Sequence, residues 1–287
     1  MTVLVIGGSG FLGTELVRQA TAAGHETAAT FASRPGVASG VTWHPLDIRD
    51  PARVASVIDD VAPSVVINAS SGGSDWAVTA DGAVRVALAA AEHGCRLVHV
   101  SSDAVFSGAH VHYDKGCLPD PLTPYGAAKA AAETAVRLLV PDAVVARTSL
   151  IIGYGRSEHE RMVQALVAGT SDGVLFTDDI RCPVHVADLA AALWEIGLSD
   201  MAGVLHLAGP DALSRHELGV LIARREGLDG AVLPAGRRAD TSLPGGLDVR
   251  LDSRTTQERL RTRLRGAREF LRREGPDANH RDQGSPD

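Results

Sequence analysis

The stretch that most limits what this chain can become is its first thirteen residues. Four apolar residues, Val3-Leu4-Val5-Ile6, run straight into Gly7-Gly8-Ser9-Gly10-Phe11-Leu12-Gly13. Leu12, Leu16 and Ala20 then recur at helical spacing, so the stretch reads as strand, tight turn and helix. Glycine suits such a turn because it reaches positive φ, lets a ligand approach the backbone, and lets the helix pack closely on the strand. The helix start offers free N–H groups and the positive end of its dipole, a seat for a pyrophosphate. Gly7, Gly10, Phe11, Leu12 and Gly13 are therefore the candidate dinucleotide cradle. Gly8-x-Gly10-x-x-Gly13 and Gly7-x-x-Gly10-x-x-Gly13 are both present, and the letters alone do not choose between them.

Apolar segments at residues 26–31, 41–44, 64–67, 96–100 and 143–146 follow, separated by helical patterns. That alternation predicts an α/β fold, a Rossmann-type doubly wound parallel sheet. Hydrophobic residues make up 45% of the chain but aromatics only 4%, which suits a core of Ala, Val, Leu and Ile on central parallel strands. Past residue 148 the alternation loosens. Helices over 158–168, 186–198 and 214–227, the last opened by a Ser214/Glu217 capping box, and short strands at 174–176 and 204–207 read as a lid over the substrate. The expected division is a dinucleotide-binding domain at 1–148 and a smaller, mainly substrate-binding C-terminal subdomain at 149–273, some of whose elements return to the core. A final amphipathic helix over 253–273 should turn Leu260, Leu264 and Leu271 inward. The polar tail, 274–287, is expected to be disordered.

A net charge of −7 argues against a general nucleic-acid binder, which needs a basic surface. No apolar run is long enough to span a membrane and no basic leader precedes the first strand, so a soluble cytoplasmic protein is expected. Cys95, Cys117 and Cys182 are scattered, and His110 and His112 lack partners at ligand spacing, so no metal site is expected.

Strand ends carry the chemistry. The second strand ends in Thr30-Phe31-Ala32-Ser33-Arg34, without the carboxylate that would accept from both ribose hydroxyls of NAD. Ser33 and Arg34 suit a 2′-phosphate instead, which predicts NADP(H) in preference to NAD(H). Asp47, followed by Ile48, is a candidate neighbour of the adenine and equally a turn aspartate. Asn68, Ala69 and Ser70 end the fourth strand, where such sheets hold ligands. Ser102 and Asp103 end the fifth. Tyr125 and Lys129, at i and i+4, share one helix face about 6 Å apart. Reducing a ketone places negative charge on its oxygen and calls for a proton donor. A tyrosine near pKa 10 serves better if an adjacent ammonium lowers it, so Tyr125 is the expected donor, Lys129 its partner and ligand of the nicotinamide ribose, and Ser102 the hydroxyl that orients the carbonyl.

The ordered set Gly7-x-x-Gly10-x-x-Gly13, Asn68-Ala69, Ser101-Ser102-Asp103-x-Val105-Phe106, Tyr125-x-x-x-Lys129 and Arg147-Thr148-Ser149 resembles the extended short-chain dehydrogenase/reductase family. Within that family it is most similar to dTDP-4-dehydrorhamnose reductases, including residues 178–189 and 247–252, over about residues 1–270. Ala104 departs from the tyrosine common there, and residues 70–76 lack the aromatic and acidic pattern. The resemblance implies a reductase using a nicotinamide cofactor on the 4-keto group of a nucleotide-linked deoxysugar, or on a related small-molecule carbonyl substrate. A homodimer is a further expectation. Besides Ser102 and Asp103, Arg147, Arg156 and Arg181 are candidates for contacting an anionic substrate. Two other functions stay open: an NAD-retaining nucleotide-sugar epimerase or dehydratase, and a non-catalytic dinucleotide-binding subunit.

Overall fold

Strand β1 (Thr2–Ile6) is apolar on both faces because it feeds two cores. Val3 and Val5 enter one buried cluster, and Leu4 and Ile6 enter the other, on the opposite side of the sheet. The computed structural model describes residues 1–272. The tail expected to be disordered lies outside the described residues.

After β1 come α1 (Phe11–Ala22), β2 (Glu26–Phe31), β3 (Val41–Pro45), α2 (Pro51–Val61), β4 (Val65–Asn68), α3 (Trp76–Thr79), α4 (Asp81–Glu92) and β5 (Arg96–Ser102). They are followed by α5 (Pro124–Leu139), β6 (Val144–Thr148), α6 (Glu158–Val167), α7 (Val186–Gly197), β7 (Gly203–Leu207) and α8 (Arg215–Glu226). The seven strands form one sheet in the order β7-β6-β5-β4-β1-β2-β3. Every pairing in it is parallel, the Rossmann arrangement expected. The order reverses between β1 and β4, so the crevice for a ligand opens at their carboxyl ends. Local signals set the helix starts: Asp50 accepts from the Ala52 and Arg53 N–H groups ahead of Pro51, and Ser214 with Glu217 makes the expected capping box. Among the described residues no helix is long and apolar enough to cross a membrane.

Two later segments differ from expectation. Residues 186–207 are not lid. Helix α7 is buried on Val186, Leu189, Leu193 and Ile196, and the Trp194 indole donates to the Leu16 carbonyl of α1 at 3.0 Å. β7 pairs with β6 as an edge of the main sheet. What remains apart is a third cluster that includes Ile152, Leu166, Leu175, Leu218, Ile222 and Leu271.

The helix expected over 253–273 is two short helices, α9 (Arg254–Gln257) and α10 (Ala267–Phe270). Its leucines are buried as expected, but Leu260 and Leu264 join the β1 cluster while Leu271 joins the third, and no straight helix serves both. Side chains satisfy the backbone between them. Glu195 accepts from the Arg261 and Thr262 N–H groups at 2.7 and 2.9 Å, and the Gln257 side chain from Leu264 N–H at 2.8 Å.

Candidate active site

The glycine turn is shaped by contacts that exclude side chains. Gly7 has φ +81°, and a Cβ there would lie 3.0 Å from the backbone of Ser70, so the β1 turn is pressed against the loop after β4. A Cβ on Gly13 would collide with the Gly7 carbonyl oxygen and sit 2.7 Å from the Gly8 Cα. Helix α1 has no side-chain cap at Gly10, which leaves its first N–H groups directed at the turn. These features fit a dinucleotide pyrophosphate. Leu12 is buried and Phe11 packs on the same core, so what both present at the turn is backbone rather than side chain.

Ser33 and Arg34 are exposed just beyond β2. Asp47 is occupied: Arg49 donates to its carboxylate at 2.9 and 2.8 Å and holds that group down at about 2. The turn role is therefore filled, while the carboxylate itself stays exposed at the carboxyl end of β3. Ile48 is a core residue lying against Gly82. Asn68 is buried, and its Oδ1 accepts from the Ser70 N–H at 3.1 Å and hydroxyl at 2.6 Å, which fixes Ala69 and Ser70 beside Gly7.

The reactive group forms where α5 meets the end of β5. Thr123 caps α5 by accepting from Gly126 N–H at 3.0 Å, and a Cβ on Gly126 would strike the Ala104 carbonyl. The first turn of α5 thus rests on the segment just after Ser102. The Tyr125 phenol faces the hydroxyls of Ser102 and Ser71. Burial raises its pKa, with the Asp103 charge adding to the rise and the two hydroxyls opposing it. The expected lowering by a neighbouring ammonium is thus not what this arrangement produces. Lys129 is buried, turned to the Val100 carbonyl at 2.9 Å, and itself pushed down to about 8 by burial, against the pull of Glu133. Ser102 Oγ accepts from Ala104 N–H at 3.2 Å and donates to Asp103 at 3.3 Å. Asp103 also accepts from the Ser149 hydroxyl at 2.6 Å.

Among the arginines, Arg147 is a correction. It is 1% exposed and bonded to Glu133 through Nε and Nη2, so it cannot contact substrate. Its position at a strand end, among site residues, hid a buried counter-charge on α5. Arg156 is exposed. Arg181 donates to the Ile180 and Gly246 carbonyls at 2.7 and 2.8 Å and lies between Asp179 and Asp103, at 2.9 and 3.7 Å, so its fork is committed to the protein.

Residues that spacing did not single out lie beyond Arg181. Asp179, wholly buried, is ringed by Arg181, Arg215 at 3.4 Å and Arg238 at 2.7 Å. The Arg181 contact to Oδ1 is charge against charge, without hydrogen-bond alignment. Arg215 also meets the His159 ring at 3.2 Å; burial and that guanidinium push the imidazole down to about 4, so it stays neutral. Asp179, Arg215, Arg238 and His159 form one wall of a cavity of about 230 Å³ whose other walls include Met162, Val174, Phe176 and Leu218. Arg215 and Arg238 lie far along the chain from Asp179 and Arg181 and leave no local pattern; the one available signal was charge inside the otherwise apolar 174–184 segment.

The chain is similar to the spore coat polysaccharide biosynthesis protein SpsK of Bacillus subtilis, 29% identical and covering 80% of this chain and 81% of that protein. It is 31% identical to the dTDP-4-dehydrorhamnose reductase of Mycobacterium tuberculosis over 74% of this chain and 71% of the relative. The crystal structure of the Bacillus anthracis dTDP-4-dehydrorhamnose reductase in complex with NADP superposes with a TM-score of 0.79 at 20% identity, covering 94% of this chain and 96% of the other, and so shares its fold. The model of the RmlD substrate binding domain matches residues 1–273, and the chain belongs to that family.

Proposed function

We propose that this protein is an NADPH-dependent reductase acting on the keto group of a nucleotide-linked deoxysugar. The observation that carries this reading is the meeting of Ser102, Tyr125 and Lys129 at the same carboxyl edge of the sheet as the Gly7–Gly13 cradle, in a chain of this family. The relatives named as dTDP-4-dehydrorhamnose reductase and the NADP held by the Bacillus anthracis structure support the choice of substrate and cofactor.

When bound, the reduced nicotinamide supplies the hydride. The protein does the rest. The Ser102 hydroxyl orients the carbonyl oxygen, and Tyr125, kept protonated by its burial, gives that oxygen its proton. Lys129, one turn further along α5, supplies positive charge on the same helix face as the proton leaves. The cavity beside Asp179 suits the nucleotide half. Phe176 and Val174 offer apolar faces for a base, and Arg215 and Arg238 beside the one carboxylate of Asp179 leave positive charge for a diphosphate. Arg34, with no acid beside it at the end of β2, favours this reading over an NAD-retaining epimerase.

The test is turnover by the purified protein of dTDP-4-keto-6-deoxy sugars with NADPH or NADH. Oxidation of added NADPH, faster than of NADH, is expected. Tyr125→Phe should cut kcat by about 10²–10⁴-fold and leave NADPH affinity intact. A protein that purifies with tightly held NAD and interconverts sugars without added cofactor would refute the proposal.

A further inference from the structure

Behind Tyr125 and Lys129, the inward face of α5 carries a charged layer that this chemistry does not use. Glu133 stands one helical turn after Lys129 and is 1% exposed. Arg147 on β6 grips it through Nη2 at 2.8 Å and Nε at 3.0 and 3.1 Å, and the Ser101 hydroxyl of β5 donates to it at 2.5 Å. The arginine is fixed in turn by the Cys117 carbonyl at 3.1 Å and by the Phe106 ring, 4.9 Å from its guanidinium carbon. With Lys129 this makes two buried cations and one buried anion. His99 of β5 also faces the amine; burial and Lys129 itself push it well down, so it adds no charge. Asp103 bears on Tyr125, and Glu133 is the carboxylate that bears on Lys129.

We propose that Glu133 is a positioning residue: clamped by Arg147 and Ser101, it keeps the Lys129 amine cationic one helical turn from Tyr125. The clamp matters because Arg147 of β6 and Ser101 of β5 fix the carboxylate in one place on the inward face of α5, one turn from the amine. Without Glu133, two cations would share a dry layer, and the amine is the one able to shed its charge.

This rests on the reductase reading only in giving Lys129 its task, and the test reads the amine directly. Lysine occurs at two positions in the chain, Lys115 and Lys129. Lysine labelled with ¹³C at Cε therefore gives two signals, with Lys115 in its exposed loop as the reference. Glu133→Gln should lower the Lys129 titration by about one unit or more and move the alkaline limb of kcat with it. KM for the sugar nucleotide should stay within about twofold. If that variant does not fold, Glu133→Gln with Arg147→Met removes both charges together, and the Lys129 titration should still fall. An unchanged titration in a folded variant, single or double, overturns the proposal. Absence of keto-sugar reduction by the unaltered protein would instead overturn the reductase reading and leave the titration interpretable.

Discussion

The two candidate binding regions are built from different materials. At the β1–α1 turn the recognition surface is backbone: Gly7 beside Ser70, Gly13 under Gly7, and an uncapped helix start. In the other region it is side chain: Asp179 gathers Arg181, Arg215 and Arg238 from three separate segments against an apolar wall. A backbone site is damaged by adding atoms, and a side-chain site by removing them. The first leaves a spacing rule in the sequence, and the second leaves none.

Adding atoms should have the largest effect. Gly13→Val would drive a branched side chain into the Gly7 carbonyl and the Gly8 Cα, contacts made of main chain that cannot rotate away. A loss of about 3 kcal/mol or more in urea unfolding is expected, because overpacking against backbone finds little relief. NADPH binding, followed by fluorescence titration, should fall by about 100-fold or more as the first N–H groups of α1 lose their aim. Retained tight binding would show that the turn tolerates rearrangement and would erase the contrast.

Removing a charge in the other region comes next. Asp179→Asn takes the counter-charge from Arg215 and Arg238, both partly open to water at 22% and 17% side-chain exposure, while Arg181 keeps Asp103 at 3.7 Å. Breaking a buried pair costs about 3–5 kcal/mol, and solvent access to Arg215 and Arg238 reduces that to about 2–3 kcal/mol here. KM for the sugar nucleotide should rise while NADPH affinity holds. A variant that binds both ligands as before would mean that the arginines need no carboxylate to hold their geometry.

The same contrast explains what was legible from residues alone. The strand-turn-helix, six of the seven strands of the parallel sheet and the Tyr125/Lys129 face follow from local periodicity and glycine spacing, which neighbours in sequence enforce. Arg147 was misplaced because an arginine after an apolar strand looks free until α5 lays Glu133 against it. Residues 253–273 carry a real amphipathic pattern, yet its leucines are divided between two cores, a fact about tertiary packing that periodicity does not record. Residues 186–207 are ordinary helix and strand, and their place in the main sheet depends on β6 and α1 rather than on anything within the segment.

The smallest effect sits where the backbone region borrows a side chain. Arg34 is exposed beyond β2, so any contact with a 2′-phosphate is made in water and screened by salt. A charge-assisted hydrogen bond at such a site contributes about 1–2 kcal/mol, so Arg34→Ser should reduce the preference for NADPH over NADH by about 5–30-fold. Only the NADPH term should move, because NADH carries no phosphate for Arg34 to meet. Measured in kcat/KM at two ionic strengths, the preference of the unaltered protein should shrink with added salt, and that of Arg34→Ser should shrink less. An equal loss for both cofactors would place Arg34 among the residues that shape the loop rather than those that choose the cofactor, and the backbone region would then owe its selectivity to something other than charge.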